Sequence, residues 1–256
     1  MTDPFSAAGV RERLAPLRAE AWRVVEAQHH VATHKLVDTA DEQQVLEELI
    51  ESAKPPRPVD AEFAQLHYLL ATPFRYPPLR HGTRFGTRAE RGIWYGSASE
   101  ATALAEAAYY RLVFLAGTAA DLPHVTSEHS TFAVDLAATR GLDLAAGPYL
   151  AQLPALTSPV SYAHTQPLGT IMRQVDIEAF RFRSARDPDE GDNFGVFAPT
   201  AFANAQPKRQ RAWHCSATQE RVLFHRRDLL HDEIRSFARR VFEVDGTVPM
   251  PPIDTP

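Results

Sequence analysis

Between Thr102 and Ala116 the chain reads TALAEAAYYRLVFLA, a run in which only Glu106 and Arg111 carry charge. Ser97 and Glu100 precede it with the S-x-x-E spacing that opens a helix, which predicts a helix over about 100–116. Leu104, Ala108 and Leu112 follow the inward spacing, with Leu115 nearby. A helix this apolar needs a core to bury it. The chain has 256 residues, enough for one fairly large domain, or one domain with an appendage, at ~100–200 residues per domain. Such a chain can remove roughly 70–75% of its unfolded surface from water without a metal or a disulfide. The apolar share of 44% and the charged share of 23% are those of an ordinary soluble domain. No window approaches the ~18 apolar residues of a membrane span. The start, MTDPFSAAGVRERL, lacks a basic segment followed by an apolar one, so no secretory signal is expected. The single cysteine, Cys215, excludes a disulfide framework and fits a reducing cytoplasm. A net charge of −5 argues against indiscriminate binding to nucleic acid or anionic membrane.

Charge and texture divide the chain. Residues 1–60 hold 11 acids against 7 Lys and Arg, a net of −4, which leaves −1 for the rest. Pro16 suits the first turn of a helix running to about Gln28. Thr39 and Glu42 have capping-box spacing ahead of Val45, Leu46, Leu49 and Ile50. AKPPRPVD at 53–60 cannot continue a helix and reads as a boundary. The expected organisation is a helical N-terminal extension over 1–56, a main domain over 61–245 and a proline-rich tail over 246–256. Within the domain the pattern predicts a short helix at 59–71 and a buried strand at Ile93-Trp94-Tyr95. Beyond the helix at 100–116 come a strand near 131–136 and a helix near 161–175. Strands near 178–183, 193–198, 210–216 and 220–225 follow, then a last helix at 228–242. Strands and helices alternate without a repeated βαβ unit and without an internal repeat, so the class is α+β.

Several familiar chemistries have no support. The chain lacks G-x-G-x-x-G, G-x-x-x-x-G-K-[ST] and G-x-S-x-G. His30 and His34 have i, i+4 spacing but neither an H-E-x-x-H glutamate nor clustered thiols, so a solvated face outweighs a metal site. Cys215 reads as a small buried hydrophobe. The informative region is 73–110. Arg75, Arg80, Arg84, Arg88 and Arg91 fall within 17 residues, interleaved by Gly82, Gly86 and Gly92 and offset only by Glu90. Guanidinium groups grip phosphate oxygens bidentately, and glycine lets backbone N–H groups approach an anion. The same composition also suits a solvated basic loop, or a nucleic-acid patch in a protein without catalysis. Glu106, flanked by Ala105 and Ala107, is either on the helix flank and salt-bridged to Arg111 or a neighbour, or a pocket carboxylate facing a cation or an incipient cation, because a buried charge needs a partner.

PFRYPP, GTRFG, GIWYGS and SEATALAEAAYYRL, followed downstream by YAHTQPLGTIMRQ and IEAFRFRSAR, resemble the RES domain in order and spacing. The resemblance covers about residues 65–230. One departure is Arg183, where the family often has proline before its serine. The resemblance implies a mixed sheet with flanking helices, distantly like ADP-ribosyltransferases. It implies NAD as substrate, no metal, and cleavage of the nicotinamide–ribose bond by a toxin of a bacterial toxin–antitoxin module. It further implies that Arg75 and Arg84 hold phosphate oxygens, that Tyr76 and Tyr95 border the nicotinamide, and that Ser184 donates a hydrogen bond to the nucleotide. Glu106 would stabilise the cation on the ribose, with Arg75 and Tyr95 completing the catalytic group. The implied partner is a small Xre-like antitoxin that covers the active site and carries any DNA association, in a complex that leaves room for homo-oligomers. Water, phosphate or a protein side chain could each be the acceptor. Arg80, Arg88 and Arg186 are candidate phosphate ligands, and a protein acceptor would make the chain a mono-ADP-ribosyltransferase.

Overall fold

The computed structural model describes residues 2–27, 37–56, 58, 60–120, 122–227 and 232–251. In chain order the elements are α1 (Ala7–Arg11), β1 (Ala15–Glu26), α2 (Ala40–Ala53), α3 (Tyr68–Arg75), β2 (Trp94–Ser97), α4 (Glu100–Gly117) and β3 (Val125–Asp143). Then follow α5 (Leu153–Leu156), α6 (Thr165–Gln174), β4 (Ala179–Arg183), β5 (Asp192–Val196), β6 (Lys208–Ala217), β7 (Arg221–Arg227) and β8 (Asp232–Ala238). His30 and His34 lie outside the described residues. No helix among the described residues is long and apolar enough to cross a membrane.

The eight strands form one mixed sheet in the order β1-β2-β5-β4-β3-β6-β7-β8, with helices flanking it. Strand β3 organises it. Along one edge β3 pairs antiparallel with β1; along the other it pairs antiparallel with β6 and then parallel with β4. Because β1 also meets β2 at Trp22 and Ser97, the pairings β1–β2–β5–β4–β3–β1 close on themselves. Helix α4 packs across β1, β2, β7 and β8 and buries Leu104, Ala108, Tyr109, Leu112 and Leu115, as its apolar run requires. Its N-cap is Ser99, whose hydroxyl accepts from the Thr102 amide. Ser97, two residues too early, belongs to β2, and Glu100 instead accepts from the Thr131 hydroxyl, the Arg211 guanidinium and the Trp213 indole.

Two expected helices are strands. Residues 15–26 were expected in a helix begun by Pro16, but they pair with β3 from Ala15↔Gly141 to Glu26↔His129. Trp22, Val24 and Val25 suit a pleated, buried surface, and that register outweighs the weak start signal of one proline. The N-terminal segment therefore completes the sheet instead of forming a helical extension. Its helical portions are the short α1 and α2, and in α2 Thr39 and Glu42 make the expected capping box. At the other end, of the residues expected in a helix at 228–242, Asp232–Ala238 form β8, paired to β7 from Arg227↔Asp232 to Arg221↔Ala238. Ile234, Phe237 and Val241 imitate helical spacing, but β7 offers a long hairpin partner. The short helix expected at 59–71 is a 3₁₀ turn at Ala61–Phe63 followed by α3.

Helix α6 holds the arginine-rich loop in place. Gln166 donates through Nε2 to the carbonyls of His81 and Thr83, at 2.9 and 3.1 Å. At Gly169 a Cβ would sit 1.9 Å from the Phe85 carbonyl oxygen, so only glycine permits this approach. The sequence motif QPLG is thus the clamp that delivers residues 81–86 to the sheet.

Glu178 ties the β3–β4 crossover together. Its carboxylate accepts from the amides of Thr139 and Arg140 and from the hydroxyls of Thr139 and Thr200. Partial burial pushes its pKa up, but these hydrogen bonds outweigh burial and hold it below the usual value. A depressed carboxylate stabilises the fold above its unfolded pKa, near ~4.3, and loses that contribution as pH falls through the folded value. Glu178→Gln is therefore expected to lower Tm at pH 7, with the gap to wild type closing below about pH 4. A gap that is constant from pH 7 to pH 3 would show that charge is not what Glu178 contributes.

Candidate active site

A cavity of about 270 Å³ opens between α4, the β1–β2 pair and the loops before β2 and after β4. Glu106 faces it from α4, Arg84 and Thr83 from the arginine loop, Tyr95 from β2, Trp22 and Arg23 from β1, Asn193 from β5, and Tyr162 and Arg186 from the loops.

Glu106 is fixed through one oxygen. Its Oε1 accepts from the Ser184 hydroxyl and from the Asn193 amide, both at 2.6 Å. Asn193 is itself oriented by the Ser97 hydroxyl, which donates to its Oδ1 at 2.6 Å. Ser184 accepts from the amides of Arg186 and Asp187, at 3.1 and 3.0 Å. A serine has one proton to give, and this one goes to Glu106. Among the described residues Oε2 has no hydrogen-bond partner, and it is not among the sealed, unpartnered atoms, so it stays open to the cavity. Arg111, the alternative partner, pairs with Glu26 at 2.5 Å.

Three guanidiniums share the cavity wall with this one carboxylate. Arg84 donates through Nη1 to the carbonyls of Leu156 and Ser158, and lies 5.1 Å from the Tyr162 ring. Arg186 donates to the Pro159 carbonyl and the Tyr109 hydroxyl. Arg23 donates through Nη1 to the Tyr95 carbonyl, lies 5.6 Å from the Trp94 ring, and has a sealed Nε with no partner. Burial pulls its pKa down to about 10, which leaves it charged at neutral pH. Among the described residues none of the three pairs with a carboxylate; neutral carbonyls and aromatic faces hold them. An arrangement of this kind is prepared for an anion arriving from solution.

The remaining expected residues divide. Tyr95 lines the cavity, with its hydroxyl 2.9 Å from Thr83 Oγ1 and accepting from the Phe85 amide. Burial pushes that hydroxyl up to about 12, so Tyr95 offers the cavity its ring and stays protonated. Arg75 and Tyr76 do not reach the cavity. Arg75, at the end of α3, is bound to Glu51 of α2 and the Pro55 carbonyl, and Tyr76 is exposed beside it. Arg91 pairs with Asp60, while Arg80 and Arg88 are exposed. Of the five clustered arginines only Arg84 faces the cavity. Sequence reading missed Arg23, Asn193, Tyr110 and Tyr162. Cys215 is buried in the sheet, and burial raises its thiol to about 11, as expected of an inert hydrophobe.

The fold and cavity together define a mixed-sheet domain whose arginine-lined cleft is built around a single clamped carboxylate. The chain belongs to the RES domain family, whose model matches residues 57–217. Strand β1, and with it Arg23, lies before that stretch. Among solved structures, the chain is similar to one from the "M.tuberculosis MbcT-MbcA toxin-antitoxin complex", with 13% identity over 82% of this chain and 92% of that one, at a TM-score of 0.47. No curated protein matches.

Proposed function

We propose that this chain is the toxin of a toxin–antitoxin pair and that it cleaves the nicotinamide–ribose bond of NAD. The observation that carries the reading is the clamped Glu106 opposite Arg23, Arg84 and Arg186, which no carboxylate neutralises. RES family membership supports it. In the proposed reaction the C1′–N bond breaks, its electron pair leaves with nicotinamide, and an oxocarbenium-like ribose remains. Oε2 of Glu106 would meet a ribose hydroxyl and the growing positive charge, an interaction that strengthens in the transition state. The arginines would hold the diphosphate, and Tyr95 and Tyr162 would supply flat surfaces. Water or phosphate then bonds to C1′ and loses a proton to solvent. The proposed partner is a small Xre-like antitoxin closing the cavity at Tyr110, which is about half exposed, as is Phe114 one helical turn further along α4.

The test is NAD turnover by antitoxin-free protein, with and without phosphate, followed by product mass. The expected result is release of nicotinamide with ADP-ribose or its 1″-phosphate as the second product. Intact NAD in both buffers, with nicotinamide appearing only when cell lysate is added, would point instead to a protein acceptor.

A further inference from the structure

Arg186 is set in the cavity by a segment far from it in sequence. Tyr109, three residues after Glu106 on α4, is fully buried. Its hydroxyl donates to the Pro249 carbonyl at 2.6 Å and accepts from Arg186 Nη2 at 2.9 Å. The Arg186 guanidinium carbon lies 3.7 Å from the centre of the same ring, and its Nη2 also reaches the Pro159 carbonyl at 2.8 Å. A phenol has a single proton. While the Pro249 carbonyl takes it, a lone pair is left facing Arg186; without that carbonyl the hydroxyl is free to turn its proton toward the cation. Burial keeps the phenol protonated by raising it to about 12. The C-terminal segment is seated for this contact: Val248, Pro249 and Pro251 are buried, and Val248 packs in one cluster with Tyr109, Leu112 and Phe242. Among the described residues no carboxylate holds Arg186, so its place depends on these neutral groups.

We propose that Val248–Pro251 acts through Tyr109 as a positioning relay for Arg186, so that seating of the C-terminal segment sets how well the cavity holds an anion. The second half of this statement rests on the nucleotide reading of the cavity; the first does not.

The experiment uses the full chain as wild type, Tyr109→Phe, Val248→Asp, Arg186→Met and the Tyr109→Phe/Arg186→Met double variant. Phenylglyoxal modification of Arg186, followed by peptide mass without any ligand, reads the relay directly. Modification is expected to be several-fold faster in Tyr109→Phe and in Val248→Asp. ADP binding, measured by calorimetry as a diphosphate probe, is expected to weaken about tenfold in each single variant, the usual size for a lost hydrogen bond to a charged group. In the Arg186→Met background, Tyr109→Phe is expected to change ADP affinity by less than about twofold, because the two residues act as one unit. A purely structural tyrosine would give additive losses. Unchanged modification rates in both Tyr109→Phe and Val248→Asp, or additive losses in the cycle, overturn the relay. If wild-type protein fails to bind ADP, the nucleotide reading falls, while the modification rates still decide the relay.

Discussion

Under the proposed reaction, Glu106→Gln is expected to lower kcat for NAD cleavage by about 10²–10³-fold, with little change in KM, because it would remove charge aimed at a cation that exists only in the transition state. Glutamine keeps the shape of the side chain, and its carbonyl can still accept from Ser184 and Asn193 as Oε1 does. Folding should therefore survive, and unchanged Tm is the control. Ser184→Ala removes one of the two donors and leaves the charge. A single hydrogen bond to a charged group contributes about 1.5–3 kcal/mol, so Ser184→Ala is expected to cost roughly 10–150-fold, and less than Glu106→Gln because the charge remains. Expression of Glu106→Gln should no longer arrest growth at wild-type protein level. A glutamine variant that keeps a tenth or more of the wild-type kcat would remove the cation-stabilising role. Ser184→Ala falling below Glu106→Gln would mean that the serine touches substrate directly.

Half of this site was legible in the residues themselves. Glu106 stood out because a carboxylate between alanines on an apolar helix must find partners. The partners could not be read, because Asn193 sits in a strand whose register with β2 and β4 exists only after the sheet has formed, and Ser184 follows directly on β4. Arg84 and Arg75 looked alike in a run of five arginines. What separates them is tertiary: Gln166 and Gly169 pull residues 81–86 onto α6, while Glu51 of α2 takes Arg75. Most elements were recognisable from caps and spacing, and α4 most clearly, since its apolar run leaves few alternatives. The two misread segments are the first and last strands of the sheet. Their local patterns are weak, and pairing decides them, with the distant β3 for the first and with the neighbouring β7 for the last.

The misreading of β1 hid a site residue, and its correction leads to an opposed pair of expectations. Arg23→Met should raise KM for NAD by roughly 10–150-fold, the range for losing a charged hydrogen bond of about 1.5–3 kcal/mol. Methionine fills much of the stem volume and can rest on Trp94, but it cannot carry charge into the cavity. Arg75→Met, outside the cavity, should leave KM within about threefold and act instead on stability, because the Glu51 and Pro55 contacts tie α2 to α3. Glu51 is exposed but the Arg75 side chain is largely buried, so a measurable drop in Tm is expected. The comparison separates two guanidiniums: one delivered to the cavity by a strand of the closed sheet circuit, and one held outside it at the end of α3. Steady-state kinetics on both variants, with Tm measured alongside, decides between them. If Arg75→Met raises KM and Arg23→Met does not, substrate lies along α3, and the cavity beside Glu106 is not where the diphosphate binds.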